Sequence, residues 1–356
     1  MEKMQTENSG KTASCLIVVV TYNSRDFILK CLESVFYSVG ENWFLTVVDN
    51  NSTDGTAGIV LDFMKNISGI GDSGIYRRTV REGTFYSIKN MCLAILKKNE
   101  GFAGAVNYAV LDDRLLRSLA ACNTGEQVTV DFTYRDAEFL LLVNPDVILE
   151  KNTYRILIDS LISNKEAGAV APLILDYEGS GIQNAGGKIL CNFLTSHLTS
   201  AENKSRIYST DYVSGSVFAL RTRLFKNAGG FDRGYRPMYF EELDLCLRLK
   251  KTGYDCIVNP SVSARHYEAA SVKKFSEIFY RHYHKNRLRC AIINSGILYF
   301  FKKFVPCELR WLAFSPKEKK EKRALICAYF SNFIFLQYNL YIKLKNHIKA
   351  GKIKRF

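Results

Sequence analysis

The sequence of 356 residues contains ten cysteines, and no two are spaced as C-x-x-C. That absence argues against a zinc ribbon or a thioredoxin-like redox pair. There is no Walker A loop and no GxGxxG, so two common glycine-rich nucleotide signatures are missing. There is no internal repeat and no low-complexity tract. Nor is there a clean run of about 20 apolar residues, which a membrane-spanning helix requires. The nearest approach, residues 324–342, is interrupted by Ser331, Asn332, Gln337 and Asn339. No RRM, KH or zinc module is recognisable, which leaves nucleic acid without a reader.

What is present is a globular composition, 47% hydrophobic and 24% charged. It excludes a disordered polymer, a collagen and a short disulfide scaffold. The length suits about two domains. Net charge is +14, unevenly placed. Residues 1–270 hold 29 Lys/Arg against 31 Asp/Glu, whereas residues 271–356 hold 20 against 4. Such a basic tail expects an anionic partner, either a membrane surface or a nucleic acid. Residues 1–12 are polar and read as a disordered tail. The apolar run 15–20 is short and lacks a small-residue cleavage site, so it reads as a buried strand and not as a secretory h-region. Most cysteines sit in apolar runs, where a free thiol acts as a small hydrophobe. Together these features predict a reducing cytosol.

Strand and helix patterns alternate through the first half. Residues 15–20, 44–48 and 139–143 read as buried strands. Ile28, Cys31, Leu32, Val35 and Phe36 recur at helical spacing, and further helices are predicted near Asp54, over 103–119 and over 153–163. The alternation implies an α/β layer with a largely parallel sheet. Stretches 66–89 and 112–136 read as loop insertions. From about Ser271, Phe275, Phe279, Tyr283 and Leu288 stripe a basic helix. The segment 324–342 suits either a helix lying in a membrane interface or one packed on the body.

In parallel sheets, ligands bind beyond the carboxyl ends of the strands. Three predicted strand ends are polar: Thr21-Tyr22-Asn23, Asp49-Asn50-Asn51-Ser52-Thr53-Asp54 and Asn144-Pro145-Asp146. Asp49 could accept from the N–H of a pyrimidine, or could simply form an Asx turn before a helix N-cap. Asp146 offers a hard oxygen ligand for Mg²⁺ or Mn²⁺. Asn99-Glu100-Gly101-Phe102-Ala103-Gly104 opens a helix, where small residues serve either a phosphate or tight packing. Glu241-Glu242-Leu243-Asp244 is the densest acidic cluster. It suits the helix macrodipole, or a general base beside a second carboxylate that tunes it. His266 follows a predicted strand at 255–258 and is either structural or a nitrogen ligand beside Asp146.

Taken in order, these segments resemble a family 2 glycosyltransferase of the GT-A fold, in the bacterial rhamnosyltransferase-like branch. The resemblance runs from about Cys15 to Arg289. It rests on Val19-Val20-Thr21-Tyr22-Asn23, on Val48-Asp49-Asn50-Asn51-Ser52-Thr53-Asp54-Gly55-Thr56, on the stretch NEGFAGAVN at 99–107 and on Val143-Asn144-Pro145-Asp146. Val213-Ser214-Gly215-Ser216, Gly229-Gly230-Phe231-Asp232, Phe240-Glu241-Glu242-Leu243-Asp244-Leu245 with Arg248, and His266 complete it.

The resemblance implies an α/β GT-A fold, a Rossmann-like, mostly parallel sheet flanked by helices. It would span residues 13–274, with a nucleotide half at 13–150, an acceptor half at 151–274 and a basic helical extension at 275–356. It implies inverting, metal-dependent transfer from a UDP- or dTDP-sugar, dTDP-rhamnose among the candidates. Glu242 would be the base with Glu241 beside it, where the family usually has Asp. Thr21, Tyr22, Asn23, Asp49, Asn51, Asn99, Gly101, Asn107 and Asn144 would hold the donor. Gly215, Asp244 and Arg248 would line the acceptor side. Asp146 and His266 would hold Mg²⁺ or Mn²⁺, with Asn144 in place of the first Asp of the family's DxD. The acceptor would be a glycan, often lipid-linked, in cell-surface polysaccharide synthesis such as O-antigen or capsule. The place of work would be the inner face of an anionic membrane, with no nucleic acid involved. The rival reading is a non-catalytic member that only binds glycan or nucleotide.

Overall fold

A computed structural model describes residues 13–69, 71, 74–112, 137–201, 206–267 and 275–351. The first half runs β1 (Cys15–Thr21), α1 (Ile28–Ser38), β2 (Trp43–Asp49), α2 (Thr56–Ser68), β3 (Tyr76–Thr79), β4 (Gly83–Ile88), β5 (Met91–Leu96) and α3 (Gly101–Leu111). Then come β6 (Phe139–Val143), β7 (Val147–Leu149), α4 (Thr153–Ser163), β8 (Ala167–Asp176), β9 (Ile182–Asn184), β10 (Gly187–Ile189), β11 (Thr195–His197), β12 (Tyr208–Thr210) and β13 (Val217–Arg221). The chain continues through α5 (Thr222–Ala228), α6 (Glu241–Lys251), β14 (Asp255–His266), α7 (Glu277–Asn294), α8 (Val305–Phe314), α9 (Lys319–Ile334) and α10 (Leu336–Ala350).

The main sheet has the order β12-β14-β8-β13-β6-β1-β2-β5-β4-β3. Its centre is parallel: β1 pairs with β2 and with β6, and β2 pairs with β5. β13 enters antiparallel between β6 and β8, while β14 runs parallel to β8. The strand period of two divides the core into two layers. Leu16, Val18 and Val20 face one layer with Ala105, Leu243 and Leu288, which come from α3, α6 and α7. Cys15, Ile17 and Val19 face the other with Leu32, Met64 and Leu157, from α1, α2 and α4. Helix α1 belongs there because Ile28, Cys31, Leu32 and Val35 lie on one stripe and are buried.

Several expectations need correction. Residues 66–89 are not a loop insertion: they finish α2 and then form β3 and β4, an antiparallel pair that extends the sheet edge. Phe85 and Ile88 of β4 are buried there on opposite faces of the sheet, a pattern without clean alternation that the Gly and Arg content further obscures. The helix expected over 103–119 is described only as α3, from Gly101 to Leu111. Residues 113–136 and the expected tail at 1–12 lie outside the described residues. The strand expected at 255–258 continues to His266.

Two features tie residues beyond 275 to the body. Leu288, Cys290 and Ala291 of α7 lie in the same core layer as Phe240 and Leu243. The expected boundary at 274/275 is therefore not a boundary in packing. In addition, Cys191 and Cys307 form a disulfide across 116 residues, so these two are not the free thiols expected. Elsewhere the expected inert thiols are present: burial pushes the Cys15 thiol up to about 12.

Beside this bond, Arg287 is fully buried and grips Glu308 through two nitrogens, at 2.8 and 2.6 Å. Its Nη1 also donates to the Asn192 carbonyl at 2.6 Å, and the Tyr329 hydroxyl donates to Glu308. Removing one partner of such a pair strands a buried charge. Glu308→Ala is accordingly expected to cost about 3–5 kcal/mol, read as a lower urea midpoint at unchanged slope. A midpoint equal to that of the parent would show that the pair contributes nothing.

Candidate active site

The parallel strands β1, β2 and β6 end on one edge of the sheet. Thr21 and Asp49 are direct partners in the β1–β2 register, and the Asn50 N–H donates to the Thr21 carbonyl at 2.8 Å. Both side chains are buried. Asp49 Oδ1 accepts from the Ser52 N–H at 2.9 Å. Asp49 Oδ2 and Thr21 Oγ1 are buried and have no hydrogen-bond partner among the described residues. Burial raises the Asp49 carboxyl above its ordinary value. Buried polar atoms left unpaired are uncommon, and the Asp49 oxygen is the acceptor that this edge offers to a donor.

The loops after β1 and β2 brace each other. Asn23 and Asn51 have φ of 49° and 70°, a left-handed conformation that asparagine tolerates. Asn23 Oδ1 accepts from the Thr53 N–H and the Asn23 N–H donates to Ser52 Oγ, each at 2.9 Å. Tyr22 and Asn51 are exposed at the same edge. Sequence reasoning missed the role of Asn50. Its Oδ1 accepts from the Glu100 N–H at 2.8 Å and its Nδ2 donates to Asn99 Oδ1 at 2.9 Å. Asn99 Oδ1 also accepts from the Gly101 N–H at 2.8 Å, so the start of α3 is fastened to the end of β2. Gly101 has φ of 71°, and a Cβ there would lie 3.2 Å from the Pro237 carbonyl oxygen. Asn107 is a correction: both of its amide atoms are used on the Phe231 main chain, at 2.7 and 2.8 Å, so it braces α3 and holds no donor.

Asn144 follows β6, and its N–H donates to the Ser216 carbonyl at 2.8 Å. Asp146 immediately precedes β7, which pairs antiparallel with β14 and sets Val147 opposite His266. His266 Nε2 lies 3.4 Å from Asp146 Oδ1. Its Nδ1 lies 2.8 Å from Gln183 Oε1, a contact that orients the ring with Nε2 toward Asp146. Gln183 on β9 had no signal in the sequence. One carboxylate oxygen beside one imidazole nitrogen, both partly exposed, fits a divalent cation that takes its other ligands from phosphate and water. Among the described residues no three His, Cys, Asp or Glu side chains gather to hold a cation without such help.

The remaining piece stands at the start of α6. Gly215 meets Glu242 so closely that a Cβ on it would lie 3.2 Å from the carboxyl carbon. A continuous row therefore runs along the sheet edge from Asp49 through Thr21, Asn144, Ser216 and Gly215 to Glu242. Burial raises the Glu242 carboxyl to about 7. Burial, and then the charge of Glu242, raises Glu241 as well, whose Oε2 is buried and unpaired among the described residues. Asp244 and Arg248 are a second correction. Asp244 is fully buried and accepts from Arg248 Nε at 2.8 Å, Asn294 Nδ2 at 2.7 Å and the Tyr235 hydroxyl at 3.2 Å. Arg248 donates its other nitrogens to the carbonyls of Ala228 and Gly230. Both are scaffold, with no atom left for an acceptor.

Comparison with known proteins places this geometry. Residues 16–111 match the family model described as Glycosyl transferase family 2. An N-acetylglucosaminyl-diphospho-decaprenol L-rhamnosyltransferase of Mycobacterium tuberculosis is 27% identical over 270 residues, 72% of this chain and 76% of that protein. Rhamnosyltransferase WbbL of Escherichia coli is 29% identical over 164 residues, 43% of this chain and 61% of that protein. The crystal structure of GalNAc-T7 with UDP, GalNAc and Mn²⁺ superposes with a TM-score of 0.57 at 14% identity, over 92% of this chain and 57% of that one. Sheet order, strand-end residues and these relatives agree: the chain carries a glycosyl transferase family 2 match at residues 16–111, has the GT-A fold and is rhamnosyltransferase-like.

Proposed function

We propose that this glycosyltransferase moves a sugar, with inversion, from a UDP- or dTDP-sugar to a hydroxyl of a lipid-linked glycan in cell-surface polysaccharide synthesis. The observation that carries the reading is the row of strand-end groups that begins at an unpaired Asp49 oxygen and ends at the Glu242 carboxylate. Asp49 accepts from the pyrimidine N–H, with Thr21, Asn23 and Asn51 around the nucleoside and Asn144 toward the diphosphate. The Glu242 carboxylate takes the proton of the acceptor hydroxyl. That oxygen bonds to the anomeric carbon as the bond to the diphosphate breaks, and the nucleoside diphosphate leaves with the electron pair. General-base help of this kind is worth roughly 10²–10⁴-fold. Asp146 and His266 are the residues that would hold Mg²⁺ or Mn²⁺, which when bound neutralises charge on the diphosphate. The M. tuberculosis relative, by its name, acts on a diphospho-decaprenol-linked sugar, which favours dTDP-rhamnose as the first donor to try and a prenyl-diphosphate glycan as acceptor.

The extension supports a membrane setting. Among the described residues no single helix is long and apolar enough to cross a membrane, and α9 with α10 qualifies only as a pair bent by 68°. Yet Phe330 and Phe333 are 65% and 76% exposed, Ile334 and Phe335 lie beside them, and Lys319, Lys320 and Lys322 precede them on α9. Apolar side chains flanked by lysines suit a helix lying in an anionic interface. The inner face is the side we favour, where nucleotide sugars are made.

Three outcomes test these readings. In the presence of Mn²⁺, dTDP-rhamnose is expected to give transfer that EDTA or Asp146→Asn abolishes. Full activity in EDTA would remove the metal from the scheme. For Glu242, activity is expected to rise with pH through about 7 as the carboxyl ionises. The folded protein also holds that proton at pH values where the unfolded chain, near the ordinary 4.5, has lost it, so stability falls as pH rises between the two values. Glu242→Gln should therefore abolish transfer yet raise the melting temperature at pH 8 more than at pH 5. An equal shift at both would mean that Glu242 is not held in a charge-disfavouring site. Finally, the full chain should sediment with anionic vesicles, less as salt screens its lysines and less after Phe330→Ser with Phe333→Ser. Unchanged sedimentation of that double variant would rule out this face.

A further inference from the structure

The backbone just before the catalytic helix is held in an unfavourable form. Tyr239 and Phe240 have φ of 77° and 78°, two successive non-glycine residues in the left-handed region. Such a residue is strained and persists only where its surroundings over-determine it. Here the conformation has a geometric consequence: Phe240 is the residue that caps α6, so it sets where Glu241 and Glu242 emerge.

What over-determines it comes from α7, beyond the expected domain boundary. Asn286 is fully buried, and its Nδ2 donates to the carbonyls of Tyr235, Met238 and Tyr239 at 2.9, 2.8 and 3.0 Å. One amide with two hydrogens thus gathers three carbonyls of a single turn. Its neighbours on α7 hold the flanks. Lys285 Nζ donates to the Arg236 carbonyl at 3.0 Å, and Arg289 donates to Asp232 at 2.6 Å. The Phe279 and Tyr283 rings lie edge-on to Tyr239 and Phe240, with centroids 5.5 and 5.3 Å apart. The same turn also reaches the donor side, where Arg236 donates to the Asn99 carbonyl at 3.2 Å.

We propose that Asn286 is a positioning residue of the transfer reaction: its amide holds the turn at 235–239 in the one conformation that sets Glu242 against Gly215 at the sheet edge. Asn286 has no path to substrate and acts only through this turn. The inference rests on reading Glu242 as the base. It makes the Asn286 side chain, in the middle of α7, a support of the catalytic turn, whatever the helices after it dock on.

The test uses the full chain, with dTDP-rhamnose and a prenyl-diphospho-N-acetylglucosamine acceptor. Asn286→Ala removes the donor, and Asn286→Asp sets a carboxylate among three carbonyls. Misplacement of a reacting group by about 1 Å can cost about 10²-fold, and kcat is expected to fall by at least that for Asn286→Asp. Affinity for dTDP, measured calorimetrically, should stay within about two-fold, which separates lost positioning from lost binding. The acid limb of the kcat profile should move to lower pH, because a released Glu242 is better solvated. Leu288→Ala, in the same core layer, is the comparison for loss of packing alone. It should lower the melting temperature but leave kcat per folded molecule and the acid limb in place. If the Asn286 variants behave like Leu288→Ala, the proposal is wrong. If Glu242→Gln retains transfer, the base reading fails, and that result is distinct because it does not involve Asn286.

Discussion

The register of three parallel strands is the constraint on which the site depends. Thr21 opposite Asp49, and Val19 opposite Val143, bring three polar strand ends to one edge. The strands themselves are buried on both faces and carry no chemistry. Their uniform apolar character holds them at the centre of the sheet. The first polar residue after each run is therefore also the first residue able to meet a ligand. Catalytic geometry follows from where hydrophobic burial stops.

The antiparallel strand β13 extends this logic beyond the nucleotide half. Entering beside β6, it sets Ser216 against Asn144, and the short turn before it carries Gly215 to Glu242. One sheet edge thus joins the Asp49 carboxylate to the Glu242 carboxylate, the two groups to which the proposed function gives base reading and proton removal. The two are pushed the same way by burial, and they differ in what lies beside them. Asp49 has the Ser52 N–H, and Glu242 has a second carboxylate and a glycine.

Much of this was legible in the sequence because strand ends and helix starts are local signals. The apolar runs, the Asn-rich turns and the acidic start of α6 each declare themselves within ten residues. What was not legible required knowledge of partners far along the chain. Asp244 and Arg248 look like site residues by type and place. Their four-residue spacing instead lets them pair with each other, in a pocket closed by Tyr235 and Asn294. Asn107 looked like a donor contact until Phe231, 124 residues away, took both of its hydrogen bonds. Gln183 and the Cys191–Cys307 bond have no local pattern at all.

The basic extension shows the same limit in charge. Its surplus of Lys and Arg was read as one surface, but part of it points inward. Arg287 is matched by Glu308 and Arg289 by Asp232, while Lys343 donates to the carbonyls of Ile292 and Ser295. Among the described residues, Lys302 and Lys303 before α9 and Lys319, Lys320 and Lys322 within it remain to meet an anionic surface. The two groups are not independent, because α7 carries contacts of both kinds within one turn. The Lys285 carbonyl accepts from Asn332 of α9 at 2.9 Å, and the next residue, Asn286, grips the turn before Glu242. Arg289 reaches both Asp232 and Asn339 of α10. The helices that present apolar side chains to the outside are therefore bonded to the helix that holds the turn before Glu242. The composition changes near residue 275, but core packing and hydrogen bonds continue across that point.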